Sequence, residues 1–348
     1  MSNSKIEWTE QTWNPIVGCS LESPGCTNCY AMKMAGRLAL MGTAHYAGTT
    51  QKTKAGFVWT GKINVAPDSI LLAPLKRGKP TTYFVNSMSD LFHPDVPDAV
   101  IDRVFAVMAL CGPQVLPNGK HWPGHIFQVL TKRSARMRAY FHGMAWGWRV
   151  MEAKKAIDPN HIAGHGGSLK TKNGGLPNVW LGVSVEDQRR ADERIPDLLA
   201  TPAAVRFLSC EPLLGPVDLG ELQAGLPVNA WLTWLDKVDW VIAGGESGPG
   251  ARPMHPDWAR SIRDQCADAG VPFHFKQWGE WAPGECIGEP VTRTETGAHF
   301  INDAWSFEEF SPRIAAELHF GDEPVLWRCG KKRAGRLLDG VQHDGWPA

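Results

Sequence analysis

Six stretches of the chain are apolar through their body and polar at their carboxyl end, and helical periodicity follows most of them. Residues 81–90 (TTYFVNSMSD), 125–134 (HIFQVLTKRS), 178–187 (NVWLGVSVED), 205–215 (VRFLSCEPLLG), 238–248 (VDWVIAGGESG) and 271–279 (VPFHFKQWG) read as strands. A seventh strand, 12–18 (TWNPIVG), is expected to run directly into a cysteine-bearing loop. Amphipathic patterns predict helices over 96–111, 134–144, 188–201 and 255–270, the last with Gly270 as its stop. Apolar strands alternating with helices argue for a parallel sheet covered on both faces. The polar tails fall at the carboxyl ends of strands, where the active-site loops of a (β/α) barrel lie. A doubly wound sheet gives the same alternation.

The expected fold class is therefore α/β, a partial (β/α) TIM-like barrel of six to seven parallel strands over residues 1–279. Residues 143–177 break the rhythm as an insertion, and 41–65 read as a loop. Residues 280–348 form a C-terminal extension, expected to hold a helix near 306–320 and a basic segment with Lys331, Lys332, Arg333 and Arg336. That segment suits either phosphate contact or a solvated charge run.

Composition narrows the class. Among 348 residues, 36 Lys plus Arg balance 36 Asp plus Glu, so no global basic field points to duplex binding. No leader-like start and no apolar run near the ~20 residues of a membrane span is visible, so a cytoplasmic, reduced protein with no membrane partner is expected. The 16 tryptophans are either loop anchors with bonded indole N–H groups or stacking platforms for a base.

Five of the eight cysteines are scattered, whereas Cys19, Cys26 and Cys29 form a C-x6-C-x2-C cluster. Three thiolates supply three metal ligands and leave one coordination position open. Structural zinc is normally closed by four protein ligands, and simple electron-transfer clusters use four cysteines. The spacing thus points to a reactive iron–sulfur cluster with a free iron. A zinc site completed by His45 or His93, and three reduced core thiols, are the alternatives.

The phrases TWNPIVGCSLESPGCTNCYA, NVWLGVSVEDQ, RFLSCEPLLG, WVIAGGESGPGARPMHPDW and GKKRAGRLLDG resemble the radical S-adenosylmethionine superfamily, in particular a phage- and prophage-associated branch marked by a three-cysteine motif. The resemblance implies that Cys19, Cys26 and Cys29 hold a [4Fe–4S] cluster whose fourth iron chelates S-adenosyl-L-methionine. It further implies reductive cleavage to a 5′-deoxyadenosyl radical, with an external reductant such as flavodoxin or ferredoxin. The superfamily's usual C-x3-C-x2-C spacing, with an aromatic before the last cysteine, differs here: Asn28 precedes Cys29 and Tyr30 follows it. The resemblance implies Asn28 and Tyr30 among the cofactor-binding residues, while this departure leaves the adenine contact open.

The superfamily's Gly-Gly-Glu stretch follows strand two, but here it lies at Gly244, Gly245 and Glu246. The resemblance therefore assigns the cofactor's amino group to Ser87, Ser89 and Asp90, residues that also suit a turn or N-cap. Ser184, Glu186 and Asp187 suit ribose hydroxyls or a helix cap. Lys132 and Arg133 suit a carboxylate or phosphate, or a basic surface face. Glu211, Gly245, Glu246, Lys276 and Gln277 form the expected substrate ring, and Cys210 is a hydrogen-donor candidate or a buried thiol. The substrate is a nucleobase, nucleotide or nucleic acid on this reading. Two other readings remain open: a non-catalytic zinc or iron–sulfur module recognising nucleic acid or a protein partner, and a barrel hydrolase using Asp90, Glu211 and Glu246.

Overall fold

The computed structural model describes residues 4, 6–54, 56–116, 118–143, 145–159, 174–220, 233–286, 294–314 and 326–347. Its fold is mixed α/β, built on a seven-stranded, all-parallel sheet. The strands are β1 (Gln11–Trp13), β2 (Thr82–Val85), β3 (Ile126–Thr131), β4 (Val179–Ser184), β5 (Val205–Cys210), β6 (Trp240–Gly244) and β7 (Phe273–Gln277). Spatial order follows chain order from β1 to β7. A doubly wound sheet reverses direction at a switch point, and this one does not. The sequential order is that of a (β/α) barrel, and β1 and β7 are the ends of an open sheet, so the barrel is partial.

The chain divides into two compact units, Met1–Val183 with Arg194–Phe207, and Ser184–Glu193 with Leu208–Ala348. In the first unit β1 pairs with β2 (Thr12 beside Phe84), β2 with β3, and β3 with β4, all parallel. The strands read as apolar runs because both their faces are covered; every residue of β4 is buried. Helices α1 (Tyr30–Leu40), α2 (Asp98–Leu110), α3 (Ser134–Phe141) and α4 (Ala145–Ile157) lie in this unit, and α5 (Gln188–Leu199) follows β4. The second unit holds β6, α6 (Pro256–Asp268), β7 and a separate sheet of β8 (Trp281–Pro283), β9 (Glu295–Ile301), β10 (Ala304–Phe310) and β11 (Leu326–Arg328).

Three local expectations change. The strand over 12–18 is broken at Asn14–Pro15: Gln11–Trp13 joins the large sheet, while Ile16–Val17 pairs antiparallel with Asn64–Val65. A proline lacks the N–H that a continuing ladder needs. The loop over 41–65 contains a hairpin, Thr50–Thr53 against Gly56–Trp59. In the extension, residues 304–310 are strand and not helix, joined to β9 through Asn302 and Asp303 at φ 49° and 60°. That two-residue turn with positive φ at both positions is the hairpin type whose twist matches its strands. Helical residues begin only at 312, and 315–325 lie outside the described residues, as do 160–173 of the insertion.

Most tryptophans serve as anchors. Trp13, Trp240, Trp278 and Trp327 are among the largest fully buried side chains. The indole N–H of Trp13 donates to the Ile70 carbonyl (3.0 Å), that of Trp278 to Leu337 (2.8 Å) and that of Trp281 to Ala251 (2.8 Å). Trp148 is exposed.

His125 is fully buried, with Nε2 donating to the Pro74 carbonyl at 3.1 Å. Burial holds it below the ordinary histidine range, and burial likewise lowers His93. A neutral ring favoured in the fold contributes fully above about pH 6.5, and its contribution is lost as pH falls through the lower folded value. The urea midpoint should therefore drop between about pH 6.5 and pH 5, a range where carboxylates are still ionised. A midpoint constant across that range would show that these rings charge without cost.

Candidate functional site

The three cysteines sit on consecutive tight turns in the first unit. Gly18 makes the first turn: its N–H donates to the Met88 carbonyl (3.2 Å), its φ is +97°, and a Cβ there would lie 2.1 Å from the Lys62 carbonyl oxygen. Only glycine fits that backbone. The Cys19 carbonyl then accepts from Gly61 N–H (3.2 Å), tying the loop to the strand connection behind it. Pro24 opens a short 3-10 turn, Pro24–Cys26, and Cys29 N–H donates to the Cys26 carbonyl at 3.3 Å. Cys29 is the N-cap of α1. Cys19 and Cys29 pack at the margin of a cluster containing Val17, Ala31, Met32, Ala35, Tyr46, Trp59 and Met88.

A buried polar network supports Cys19 from β3. Arg133, only 8 % exposed, points Nη1 at Cys19 Sγ (3.6 Å) and at Asp90 Oδ2 (3.0 Å). Its Nη2 donates to the Ser20 carbonyl (3.1 Å) and hydroxyl (2.8 Å). Asp90 accepts further from Thr131 Oγ1 (2.7 Å), Phe92 N–H (3.0 Å) and Lys132 N–H (3.1 Å). His93 closes the network through Nε2 to Ser20 Oγ (2.8 Å), while its Nδ1 accepts from Asp95 N–H (3.2 Å). Both His93 nitrogens are thus engaged, which removes it as a ready zinc ligand.

Electrostatics follow the geometry. Burial pushes the Cys19 thiol up to about 12, with Asp90 adding to the rise and Arg133 opposing it. Burial raises Cys29 as well, opposed by the backbone N–H groups of Met32 and Ala31 at the start of α1. Cys26 raises both neighbours by its charge, so the three sulfurs share one neighbourhood. Three sulfurs are the donor type of a thiolate-bound metal, but burial outweighs Arg133 and the α1 amides and disfavours the free thiolates of Cys19 and Cys29. Among the described residues no group of three or more His, Cys, Asp or Glu is placed so that it could hold a metal ion.

The remaining cofactor candidates are placed as follows. Ser87 Oγ donates to Asn14 Oδ1 (3.1 Å) and Ser89 Oγ to the Ile16 carbonyl (2.7 Å), so both hydroxyls brace the break after β1. The exposed Tyr30 ring donates its hydroxyl to the Ser87 carbonyl (3.0 Å), joining α1 to the end of β2. Asn28 is partly buried, and Lys132 touches Asp90 through its backbone. Asn86, overlooked in the sequence, sits immediately after β2 at φ 58°. It is 97 % buried, being 3 % exposed, and neither atom of its amide has a hydrogen-bond partner among the described residues.

The second unit brings other candidates together. Ser184 and Glu186 are buried there. Lys276 Nζ donates to both oxygens of Glu211 at 2.8 Å, and Gln277 Nε2 reaches the same carboxylate at 3.2 Å. Glu246 is held by Arg252, which the sequence did not single out, through its N–H (2.9 Å), Nε (2.9 Å) and Nη2 (2.7 Å). Cys210 is fully buried, and burial drives its thiol upward. Gly245 permits backbone to meet backbone, because its Cβ would lie 1.9 Å from the Trp278 carbonyl oxygen. Gly245→Ala should therefore cost at least ~2 kcal/mol, read as a lower melting temperature; an unchanged one would mean that the 278–279 turn yields freely.

The sequence profile of a family described as "Protein of unknown function (DUF5131)" matches residues 3–347. No curated protein and no solved structure matches the chain. Among the described residues no helix is long and apolar enough to cross a membrane.

Proposed function

We propose, for a chain that belongs to the DUF5131 family, a radical S-adenosyl-L-methionine enzyme with Cys19, Cys26 and Cys29 as ligands of a [4Fe–4S] cluster. The observation that carries this reading is the cysteine loop of the first unit, with a buried guanidinium at one sulfur and helix-start amides at another. Cys19 lies beside the Arg133 guanidinium, and Cys29 beside the opening amides of α1. Held by Cys19, Cys26 and Cys29, a cluster of this kind would supply the single electron for reductive cleavage of S-adenosylmethionine to methionine and a 5′-deoxyadenosyl radical able to take hydrogen from substrate.

The chain's own residues do the rest. Arg133 offsets negative charge at Cys19, and Asp90 holds Arg133 in place. The N–H groups of Ala31 and Met32 favour the thiolate of Cys29. Asn86 offers an unengaged donor and acceptor for the amino-acid end of the cofactor. The sequence reading gave that task to Ser87, Ser89 and Asp90, whose polar atoms are already bonded within the protein. Tyr30 fixes the end of β2 against the start of α1, next to Asn28. Glu211 and Lys276, with Glu246, are assigned to the substrate, a nucleobase or nucleotide, and flavodoxin or ferredoxin to the electron supply.

Anaerobic reconstitution tests the reading. About four irons per chain and reductant-dependent release of 5′-deoxyadenosine are expected, both lost on changing any of Cys19, Cys26 or Cys29 to serine. One zinc per chain with no sulfide would overturn it in favour of a non-catalytic metal module.

A further inference from the structure

Residues 23–67 contain no aspartate or glutamate, although 36 acids are spread over the 348 residues of the chain. The same stretch holds Lys33, Arg37, Lys52, Lys54 and Lys62, in a chain whose formal net charge is zero. The acids that bound it are already paired: Glu22 lies 3.5 Å from Arg133, and Asp68 accepts from Arg103 at 2.8 Å. Cations elsewhere are commonly paired, as Arg103, Arg149 and Lys276 are. Among the described residues none of Lys33, Arg37, Lys52, Lys54 and Lys62 forms an ion pair.

The fold gathers these cations on one side of the first unit. Helix α1 buries Ala31, Met32, Ala35 and Gly36 and leaves Tyr30, Met34 and Arg37 exposed, with Met41 exposed at its end and Lys33 half-buried. Tyr30, Lys33, Met34, Arg37 and Met41 follow the three- and four-residue spacing of a single helix face. The hairpin Thr50–Thr53 against Gly56–Trp59 packs on α1 at Gly36, where a Cβ would lie 2.2 Å from the Phe57 ring. Lys52 is the cross-strand partner of Phe57 and shares its face of the hairpin, the one turned toward α1. Lys33 and Arg37 flank Gly36 on the helix, so Lys33, Arg37 and Lys52 border one seam. Lys54 is exposed at the hairpin tip. Beyond the end of α1 an open cleft of about 570 Å³ is lined by Lys62, His45 and Asn64 together with Ala47, Ile63 and Val65. Asn64 Nδ2 holds its walls together by donating to the carbonyls of His45 (2.9 Å) and Ala47 (3.0 Å).

Like charges without counter-charges repel one another, and a surface of one sign attracts a partner of the other. Protein surfaces carry both signs and are matched by both. A face without a carboxylate suits a polymer whose every unit is anionic. Exposed Tyr30, Met34 and Met41 lie among the cations, and a single strand, unlike a duplex, offers base faces as well as phosphates. We propose that this side of the first unit binds a single-stranded nucleic acid, its phosphates along Lys33, Arg37 and Lys52 and its path leading to the cleft at Lys62. The inference deepens the proposed function by placing its nucleotide within a strand, and rests on that reading only for what is done to the strand once bound.

The test is a salt titration of a short oligothymidylate against the purified full chain, free of iron and of S-adenosylmethionine. Binding at low salt is expected, with log K falling against log salt by about 0.7 for each phosphate neutralised. Lys33→Gln, Arg37→Gln and Lys52→Gln combined should flatten that slope by about 2, with the melting temperature showing that the variant folds. Lys52→Gln with Lys62→Gln, which leaves the helix intact, should flatten it by about 1.4. Lys331→Gln with Lys332→Gln, exposed in the second unit, should leave it unchanged. No binding at low salt would overturn the proposal, as would a slope that responds to Lys331 and Lys332 and not to the first-unit variants. Salt-sensitive binding of an acidic ferredoxin, with none of the oligonucleotide, would overturn it in favour of a protein partner. Cofactor cleavage by the reconstituted protein is a separate readout, so failure of the strand site and failure of the radical chemistry are told apart.

Discussion

Arg133→Met should destabilise the protein by about 3–5 kcal/mol, the range for breaking a buried ion pair from one side. Arg133 and Asp90 each expose only 7 % of their side chains. Without the guanidinium, the Asp90 carboxylate is left among neutral donors from Thr131, Phe92 and Lys132. Chemical denaturation checks the size of the loss. Adding Asp90→Asn to the variant should return part of it, because the uncompensated charge is then gone. A loss under ~1 kcal/mol would mean that the pair behaves like a surface bridge. The same variant should also reconstitute less iron, since Cys19 loses the cation that opposes its raised pKa.

The second large effect is expected at Gly18. A side chain there must adopt φ +97° with its Cβ 2.1 Å from the Lys62 carbonyl oxygen. Strain at such a backbone position is worth about 1–3 kcal/mol, and relieving the overlap adds a comparable amount, so Gly18→Ala should cost about 3–5 kcal/mol. Cys19 is the next residue, so the variant should lose bound iron well before it loses its helical circular dichroism signal. Normal iron content with normal stability would show that the cysteine loop is not set by this turn.

The sheet was legible because its strands are buried on both faces. WVIAG of β6 is buried throughout and can only read as an apolar run. The hairpin of the extension was missed for the opposite reason. β10 is almost wholly exposed, so AWSFEEF carries no alternation, and its two glutamates favour a helical reading. The Asn302–Asp303 turn was the available signal. At the site, cysteine spacing exposed the three thiols, and the strand ends marked Glu211 and Lys276. Arg133 was visible only as a basic residue after a strand, since its partner Cys19 lies 114 residues away. The burial of Asn86 depends on tertiary packing that no local pattern encodes.

The C-terminal residues lie along β7, the last strand of the sheet. Phe275 N–H donates to the His343 carbonyl (3.0 Å), Gly345 N–H donates to Phe273 (2.9 Å), and Trp240 Nε1 donates to Gly345 (2.7 Å). An uncovered edge strand offers its backbone as a template for a strand of another chain. Here residues 343–345 occupy part of that template, which leaves those backbone groups unavailable to another chain. Removing residues 341–348 would bare the edge without touching either cluster of polar residues. The truncated protein should then stay competent at its sites while becoming prone to assemble through β7.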